Sequence, residues 1–271
     1  MNRINLTETD LAVMENAMIE FGAVVTFDQL VSLCNEDRKY ANKRINKLTK
    51  QGWLKRIKKG VFALSDLSSR GMLAISHKAV VNHLVDEAYI SFEAALQHHG
   101  LYNQLLSSIN SIALKQYQTT VIDGMSYNFI KTQPEYFYGW GTYTIDGQSV
   151  KIASVEKALI DLVQFHRSRY STDLVLEKLT DDSDNIEYQK LVEYILKANL
   201  TTRRIMGFLM DCAAMETSMI YLSTAKKTST SSISSSEHNR YNSKWRIFYD
   251  RHFSQYTQEQ IDPAAAGIDQ P

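Results

Sequence analysis

Residues 38–64 read Arg38-Lys39-Tyr40-Ala41-Asn42-Lys43-Arg44-Ile45-Asn46-Lys47-Leu48-Thr49-Lys50-Gln51-Gly52, then Trp53-Leu54-Lys55-Arg56-Ile57-Lys58-Lys59-Gly60-Val61-Phe62-Ala63-Leu64. Ala41, Ile45 and Leu48 are spaced four and three apart and form one apolar stripe at helical pitch. Lys39, Lys43, Asn46 and Lys50 repeat with the same spacing on the opposite side. The spacing predicts a helix from Arg38 that Gly52 ends through a left-handed residue. The two short alternating runs around Lys58-Lys59-Gly60 predict a β-hairpin. Ten basic residues and no Asp or Glu occupy Arg38–Lys59. A merely solvated helix mixes Glu with Lys, because opposite charges four apart support each other and like charges repel. An all-positive face therefore points to an anionic partner.

Outward from this block, Thr7-Glu8-Thr9-Asp10 is a helix cap followed by Leu11, Met14, Met18 and Phe21 at helical spacing, with Gly22 as the stop. Thr26-Phe27-Asp28-Gln29 is a capping box opening a second, short helix that ends near Cys34. The order is helix, helix, turn, helix, hairpin, which predicts a winged helix-turn-helix over residues 1–69. In such a unit the third helix enters the major groove and the hairpin lies beside it on the phosphates. Lys39, Asn42, Lys43, Asn46, Lys47 and Lys50 on the helix are the candidate DNA contacts, with Lys55, Arg56, Lys58 and Lys59 on the wing. Asn pairs with an adenine edge, and Lys and Arg suit guanine or phosphate. Trp53, Ile57 and Phe62 read as core of a small unit that needs apolar area.

The whole chain has 271 residues, with 30 basic against 30 acidic side chains, 44% hydrophobic and 22% charged residues. That is an ordinary globular composition of about two domains. The neutral total hides an asymmetry. Residues 1–70 carry twelve basic and eight acidic residues, +4, so the rest carries −4. Two cysteines, Cys34 and Cys212, build neither a disulfide framework nor, without paired histidines, a structural zinc site; a reducing cytoplasm is the expected location. No apolar run reaches the length of a membrane span, and MNRINLTETD lacks the core of a signal peptide.

After Arg70-Gly71 the basic bias ends. A larger mixed α/β domain is expected over 70–257, giving an α+β class overall, with a flexible tail over 258–271. Helices are expected at Ile75–Leu84, after Ser91 up to Gly100, after Ser154, and near 185–198 and 202–215. Ile112–Leu114 reads as a strand, and Asp123-Gly124 and Asp146-Gly147 as tight hairpin turns. Eight of the nine residues Thr228–Ser236 are Ser or Thr, which reads as a flexible loop within 226–240. Lys244–Tyr249 looks like a last strand.

No catalytic constellation emerges. Gly139-Trp140-Gly141 lacks the third glycine of a dinucleotide loop, no Walker loop, H-E-x-x-H or G-x-S-x-G occurs, and no glycine is followed by serine. His98 and His99, adjacent on a helix, point about 100° apart. Asp181, Asp182 and Asp184 read as a solvated turn. No enzyme activity, cofactor or metal is expected.

The segment Gly52-Trp53-Leu54-Lys55-Arg56 with Gly60-Val61-Phe62-Ala63-Leu64 resembles the N-terminal domain of AbiEi-type antitoxins, from type IV toxin–antitoxin pairs of abortive infection and phage defence. Tyr89-Ile90-Ser91-Phe92-Glu93-Ala94-Ala95-Leu96-Gln97-His98-His99-Gly100-Leu101 is similar to the opening of that family's second domain. Ala153-Ser154-Val155-Glu156-Lys157-Ala158-Leu159-Ile160-Asp161-Leu162 is similar to its later helix. The resemblance covers most of residues 10 to 170. It implies a transcriptional autorepressor that binds repeats in its own promoter, and a second domain that counteracts a nucleotidyltransferase toxin without requiring a stable complex. The competing reading is a one-component winged-helix regulator whose second domain binds a small effector.

Overall fold

The computed structural model describes residues 6–66, 74–233 and 240–256. The chain divides into two compact units: residues up to Ile90 with Gln104–Gln133 and Trp140–Ile152, and Ser91–Asn103 with Pro134–Gly139 and everything from Ala153. The boundary expected near residue 70 and the tail expected from 258 both lie outside the described residues. The chain passes between the two units after Ile90, Asn103, Gln133, Gly139 and Ile152. The class is mixed α+β. No helix among the described residues is long and apolar enough to cross a membrane.

The first unit opens with α1 (Glu8–Phe21), whose Thr7 hydroxyl accepts Asp10 N–H at 3.2 Å and which stops at Gly22, φ +81°. β1 (Val24–Thr26) leads into α2 (Phe27–Leu33), started by the full Thr26/Gln29 capping box. Then come α3 (Arg38–Lys50), β2 (Leu54–Lys58) and β3 (Val61–Leu64). The sheet order is β1-β3-β2, all antiparallel, with Val25 opposite Phe62 and Leu54 opposite Leu64. One core joins these elements: Val13, Met14 and Ala17 of α1, Leu30 of α2, Ala41, Ile45 and Leu48 of α3, and Leu54, Phe62 and Leu64 of the hairpin. Ile57 and Phe62 are buried, and the partly buried Trp53 packs against the core. Three residues are too few to show alternation, so β1 is invisible to a periodicity reading.

The same unit contains α4 (His77–Leu84) and a six-stranded sheet of β4 (Ala88–Ile90), β5 (Ser108–Ala113), β6 (Thr120–Ile122), β7 (Met125–Lys131), β8 (Trp140–Ile145) and β9 (Gln148–Ala153), in the order β6-β7-β5-β4-β9-β8. Both Asp-Gly turns form, with Asp123 at φ +53° and Gly124 at +81°, and Asp146 at +49° and Gly147 at +72°. Two positive φ values in succession are what a two-residue hairpin needs. The sheet is nonetheless mixed: β5 pairs with β7, and β4 with β9, in parallel. A hairpin reading sees only neighbours in sequence and misses such pairings.

The second unit is mostly helical: α5 (Phe92–His98), α6 (Val155–Phe165), α7 (Arg169–Asp181), α8 (Tyr188–Lys197), α9 (Leu200–Cys212) and α10 (Ser218–Thr224). α6 is its hub, packing against α5, α7, α8 and α9 and burying Leu159, Ile160, Leu162 and Val163 completely. A small sheet in the order β10-β12-β11 closes the unit, made of β10 (Ser231–Ser232), β11 (Arg240–Asn242) and β12 (Ile247–Tyr249). The strand expected over Lys244–Tyr249 is shorter, because Arg246 sits at φ +53° and Trp245 turns into the core. Of the Ser/Thr-rich stretch expected as a loop, Ser231–Ser232 pairs with β12 and Ile233 is fully buried; residues 234–236 lie outside the described residues.

Candidate nucleic-acid interface

α3 turns a face of amides and cations to solvent because its other face is fixed by Ala41, Ile45 and Leu48, each at most 1% exposed. Lys39, Asn42, Lys43, Asn46 and Lys50 are all exposed. Asn46 donates from Nδ2 to Asn42 Oδ1 at 3.1 Å, which ties the two amides into a pair and leaves Asn46 Oδ1 without a partner among the described residues. The Lys43 ammonium sits 5.4 Å over the Tyr40 ring, itself 58% exposed. Tyr40 is the residue of this face that apolar-stripe reasoning overlooks, since an aromatic among lysines belongs to neither pattern. Arg38 and Lys39 place positive charge at the positive end of the helix dipole, an unfavourable arrangement that the exposed Arg38–Asp28 pair at 2.9 Å offsets for Arg38 only.

Lys47 departs from the expectation. Its ammonium lies 2.8 Å from Asp10 Oδ2, and Arg44 Nη1 lies 3.0 Å from Asp10 Oδ1, while Arg44 Nη2 reaches Glu36 at 2.5 Å. The Asp10 side chain is 2% exposed. Burial alone would push its carboxyl up; the bonds from Lys47 and Thr7 overcome that and hold it below the ordinary carboxylate range. Part of the missing anion is thus supplied from α1, and the free positive face is narrower than the ten-cation count suggests. Lys39, Lys43 and Lys50 have no ion pair among the described residues.

On the hairpin, Arg56, Lys58 and Lys59 are exposed, Gly60 turns at φ +75°, and its carbonyl accepts Phe27 N–H at 2.8 Å. The ladder is irregular between Arg56 and Lys58, and a bulge of this kind increases the local twist near the tip. The Arg56 guanidinium stands 5.8 Å over Phe62. Lys55 is otherwise engaged: it is about one-quarter exposed and pairs with Asp123, in the β6–β7 turn, at 2.8 Å. Eight of the ten residues picked from the sequence are therefore exposed without an ion pair among the described residues, and Lys47 and Lys55 hold structural carboxylates.

The two segments singled out in the second unit meet through buried polar groups. Ser91 stands at the N-cap position of α5, yet its hydroxyl does not cap; it donates to Asp161 Oδ2 of α6 at 2.7 Å. Lys157 Nζ bonds the other Asp161 oxygen, and the two side chains are 1% and 0% exposed. The Lys157 ammonium also lies 4.8 Å over the Tyr138 ring. Phe92, at φ +58°, stacks on His166 with centroids 4.2 Å apart. Ser154 caps α6 as expected, accepting Lys157 N–H at 3.3 Å. His99 Nε2 contacts the Ala153 carbonyl at 2.8 Å, and the His98 and His99 rings lie 5.1 Å apart. Among the described residues no group of three His, Cys, Asp or Glu is placed to hold a metal, and Asp182 pairs with Lys178 at 3.1 Å.

No family model matches the chain, and no curated protein matches it. Among solved structures, the crystal structure of the RV2827C protein from Mycobacterium tuberculosis is similar to it, with a TM-score of 0.64 at 14% identity over 90% of this chain and 92% of that chain. At that identity the likeness is one of fold.

Proposed function

We propose that α1–α3 with the β2–β3 hairpin are a winged helix-turn-helix that binds duplex DNA, α3 entering the major groove and the hairpin acting as the wing. The observation that carries this reading is the acid-free outer face of α3, with Lys39, Lys43 and Lys50 exposed and without an ion pair among the described residues, beside the Asn42–Asn46 amide pair. Phosphate contacts set register and affinity; the amides and Tyr40 offer the groups that read base edges. In this reading the chain represses its own operon. Its second activity, counteracting a nucleotidyltransferase toxin in the type IV manner, rests on the resemblance of Tyr89–Leu101 and Ala153–Leu162 to AbiEi-type antitoxins. The interlock of those segments through Ser91, Lys157 and Asp161 supports their belonging to one functional body.

Two measurements test the halves separately. A Lys39/Lys43/Lys50→Gln protein should bind promoter DNA more weakly, with the slope of log K against log salt reduced by about 0.9 for each lost phosphate contact; an unchanged slope removes α3 from the interface. The same protein, supplied from an unrelated promoter, should still rescue cells expressing a cognate nucleotidyltransferase toxin. Rescue lost together with DNA binding, at equal protein level, refutes an independent antitoxin activity.

A further inference from the structure

The small sheet of the second unit has one buried face and one bare face. Ile247 and Tyr249 of β12 are 0% and 2% exposed, and Ile233 and Trp245 are buried beside them. Between them Phe248 points the other way and is 41% exposed. Its register partner on β11, Tyr241, is 45% exposed, and the two rings lie 4.9 Å apart at 49°. Ser232 is the partner of Phe248 on the other side. Three strands therefore present one row of hydroxyl, aromatic and aromatic to solvent.

The strands of this sheet and the segment leading into them are rich in cations. Residues 226–233 and 240–249 include Lys226, Lys227, Arg240, Lys244 and Arg246 and no Asp or Glu. Lys244 is paired with Asp211 at 2.8 Å. Lys226, Lys227 and Arg240 are exposed and have no ion pair among the described residues. Two further guanidinium groups hold the hydroxyl-rich segment in place. Arg204, 1% exposed, donates to the carbonyls of Ser229 at 2.6 Å and Lys227 at 2.8 Å. Arg246 donates to the carbonyls of Ser229 and Thr228. Both groups thus end on neutral oxygens, so nothing in that segment cancels their charge. Thr228, Ser229 and Thr230 remain exposed.

We infer that this face binds unpaired RNA, with bases stacked on Phe248 and Tyr241, phosphates taken by Lys226 and Lys227, and the Thr228, Ser229, Thr230 and Ser232 hydroxyls available to ribose 2′-OH groups. Exposed aromatics on a sheet, flanked by cations, are the arrangement by which proteins hold splayed-out bases, and a duplex whose bases are stacked and paired has none to offer them. The 2′-OH, donor and acceptor at once, is what lets hydroxyl side chains favour RNA over DNA. The inference is independent of α3, since every group it uses belongs to the second unit.

The test is fluorescence anisotropy of the full chain with a labelled oligouridylate of about 12 nucleotides, the length range of one stacking platform. The intact protein should bind it, and bind the deoxy oligomer of the same length more weakly. Tyr241→Ala and Phe248→Ala should each weaken RNA binding, by about fivefold to a hundredfold, while leaving promoter-duplex binding unchanged. Tyr241→Phe keeps the ring and should keep the affinity, which separates stacking from a folding defect. Lys226/Lys227→Gln should lower the salt slope by about 0.7 per lost contact, the single-strand value. Lys39/Lys43/Lys50→Gln, which tests the duplex reading, should leave RNA binding intact. No binding by the intact chain, binding indifferent to loss of both rings, or equal binding of the deoxy oligomer overturns the inference.

Discussion

Lys47 Nζ lies 2.8 Å from Asp10 Oδ2, so a lysine of the basic helix is held by an almost fully buried carboxylate from α1. That pairing divides the basic residues of α3 into two kinds. Lys43→Ala should weaken DNA binding with little change in folding, whereas Lys47→Ala should lower the melting temperature, because Asp10 then keeps only one of its two cations. Removing one partner of a hydrogen-bonded charge leaves the other undercompensated at a cost of about 1–3 kcal/mol. Thermal melts beside gel shifts check this; equal melting temperatures for the two variants would return Lys47 to the proposed DNA contacts.

Asp10 also sets a pH dependence with a definite sign. Its folded-state carboxyl titrates below its unfolded value, because the bonds from Lys47 and Thr7 outweigh the opposing effect of burial. Its contribution is therefore complete above the ordinary carboxylate pKa, about 3.9, and declines as pH falls from there through the folded value. His77 and His83 act in the same direction at higher pH. Burial lowers both, with Lys58 adding to the effect at His83 and Asp123 opposing it at His77. The folded protein resists their protonation, so stability should begin to fall below about pH 6.5. Urea midpoints from pH 8 to pH 3 should show two descending regions, and Asp10→Asn should flatten the lower one. A lower region unchanged by that substitution refutes the assignment.

Legibility in the sequence followed physical range. α1, α2, α3 and the hairpin were legible because their signals are local: the Thr7 and Thr26 caps, the Gly22 and Gly60 turns, and the stripe Ala41, Ile45, Leu48 all act within a few residues. α7 was missed because Leu174-Val175-Leu176 is a continuous apolar run that shows no period, and its burial against α6 and α9 is a tertiary fact. α10 is only seven residues long and carries no side-chain cap bond. In the candidate interface the exposed amides and lysines could be read from helical phase, but the diversion of Lys47 to Asp10 and of Lys55 to Asp123 could not. Those pairs span 37 and 68 residues, and nothing local marks them.

Gly207 in α9 is required by the Trp245 ring. A Cβ at that position would lie 2.3 Å from two of the indole carbons, and Trp245 is fully buried with its Nε1 donating to Asp211 at 2.6 Å. The ring is held by that bond and cannot retreat without losing it. Gly207→Ala should destabilise the protein by about 1–3 kcal/mol despite the better helix propensity of alanine. Trp245→Phe in the same chain should recover part of the loss, a coupling that a double-mutant cycle measures. An alanine variant as stable as the parent would contradict the close approach.

The buried set Ser91, Lys157 and Asp161 should behave as a unit. Asp161→Ala takes the carboxylate from the Lys157 ammonium, which is 1% exposed, and from the Ser91 hydroxyl. Removing one partner of a buried pair typically costs about 3–5 kcal/mol, much of it the cost of the uncompensated charge. Replacing both charges with apolar groups of similar size, Lys157→Met with Asp161→Leu, removes that charge and leaves mainly the unpaired Ser91 hydroxyl, a cost of about 1–3 kcal/mol. The double variant should therefore be more stable than Asp161→Ala alone, and adding Ser91→Ala should recover more. Chemical denaturation of the four proteins decides it. Additive losses across the set would show that the three groups are not coupled, and that α5 and α6 are held together by their apolar contacts instead.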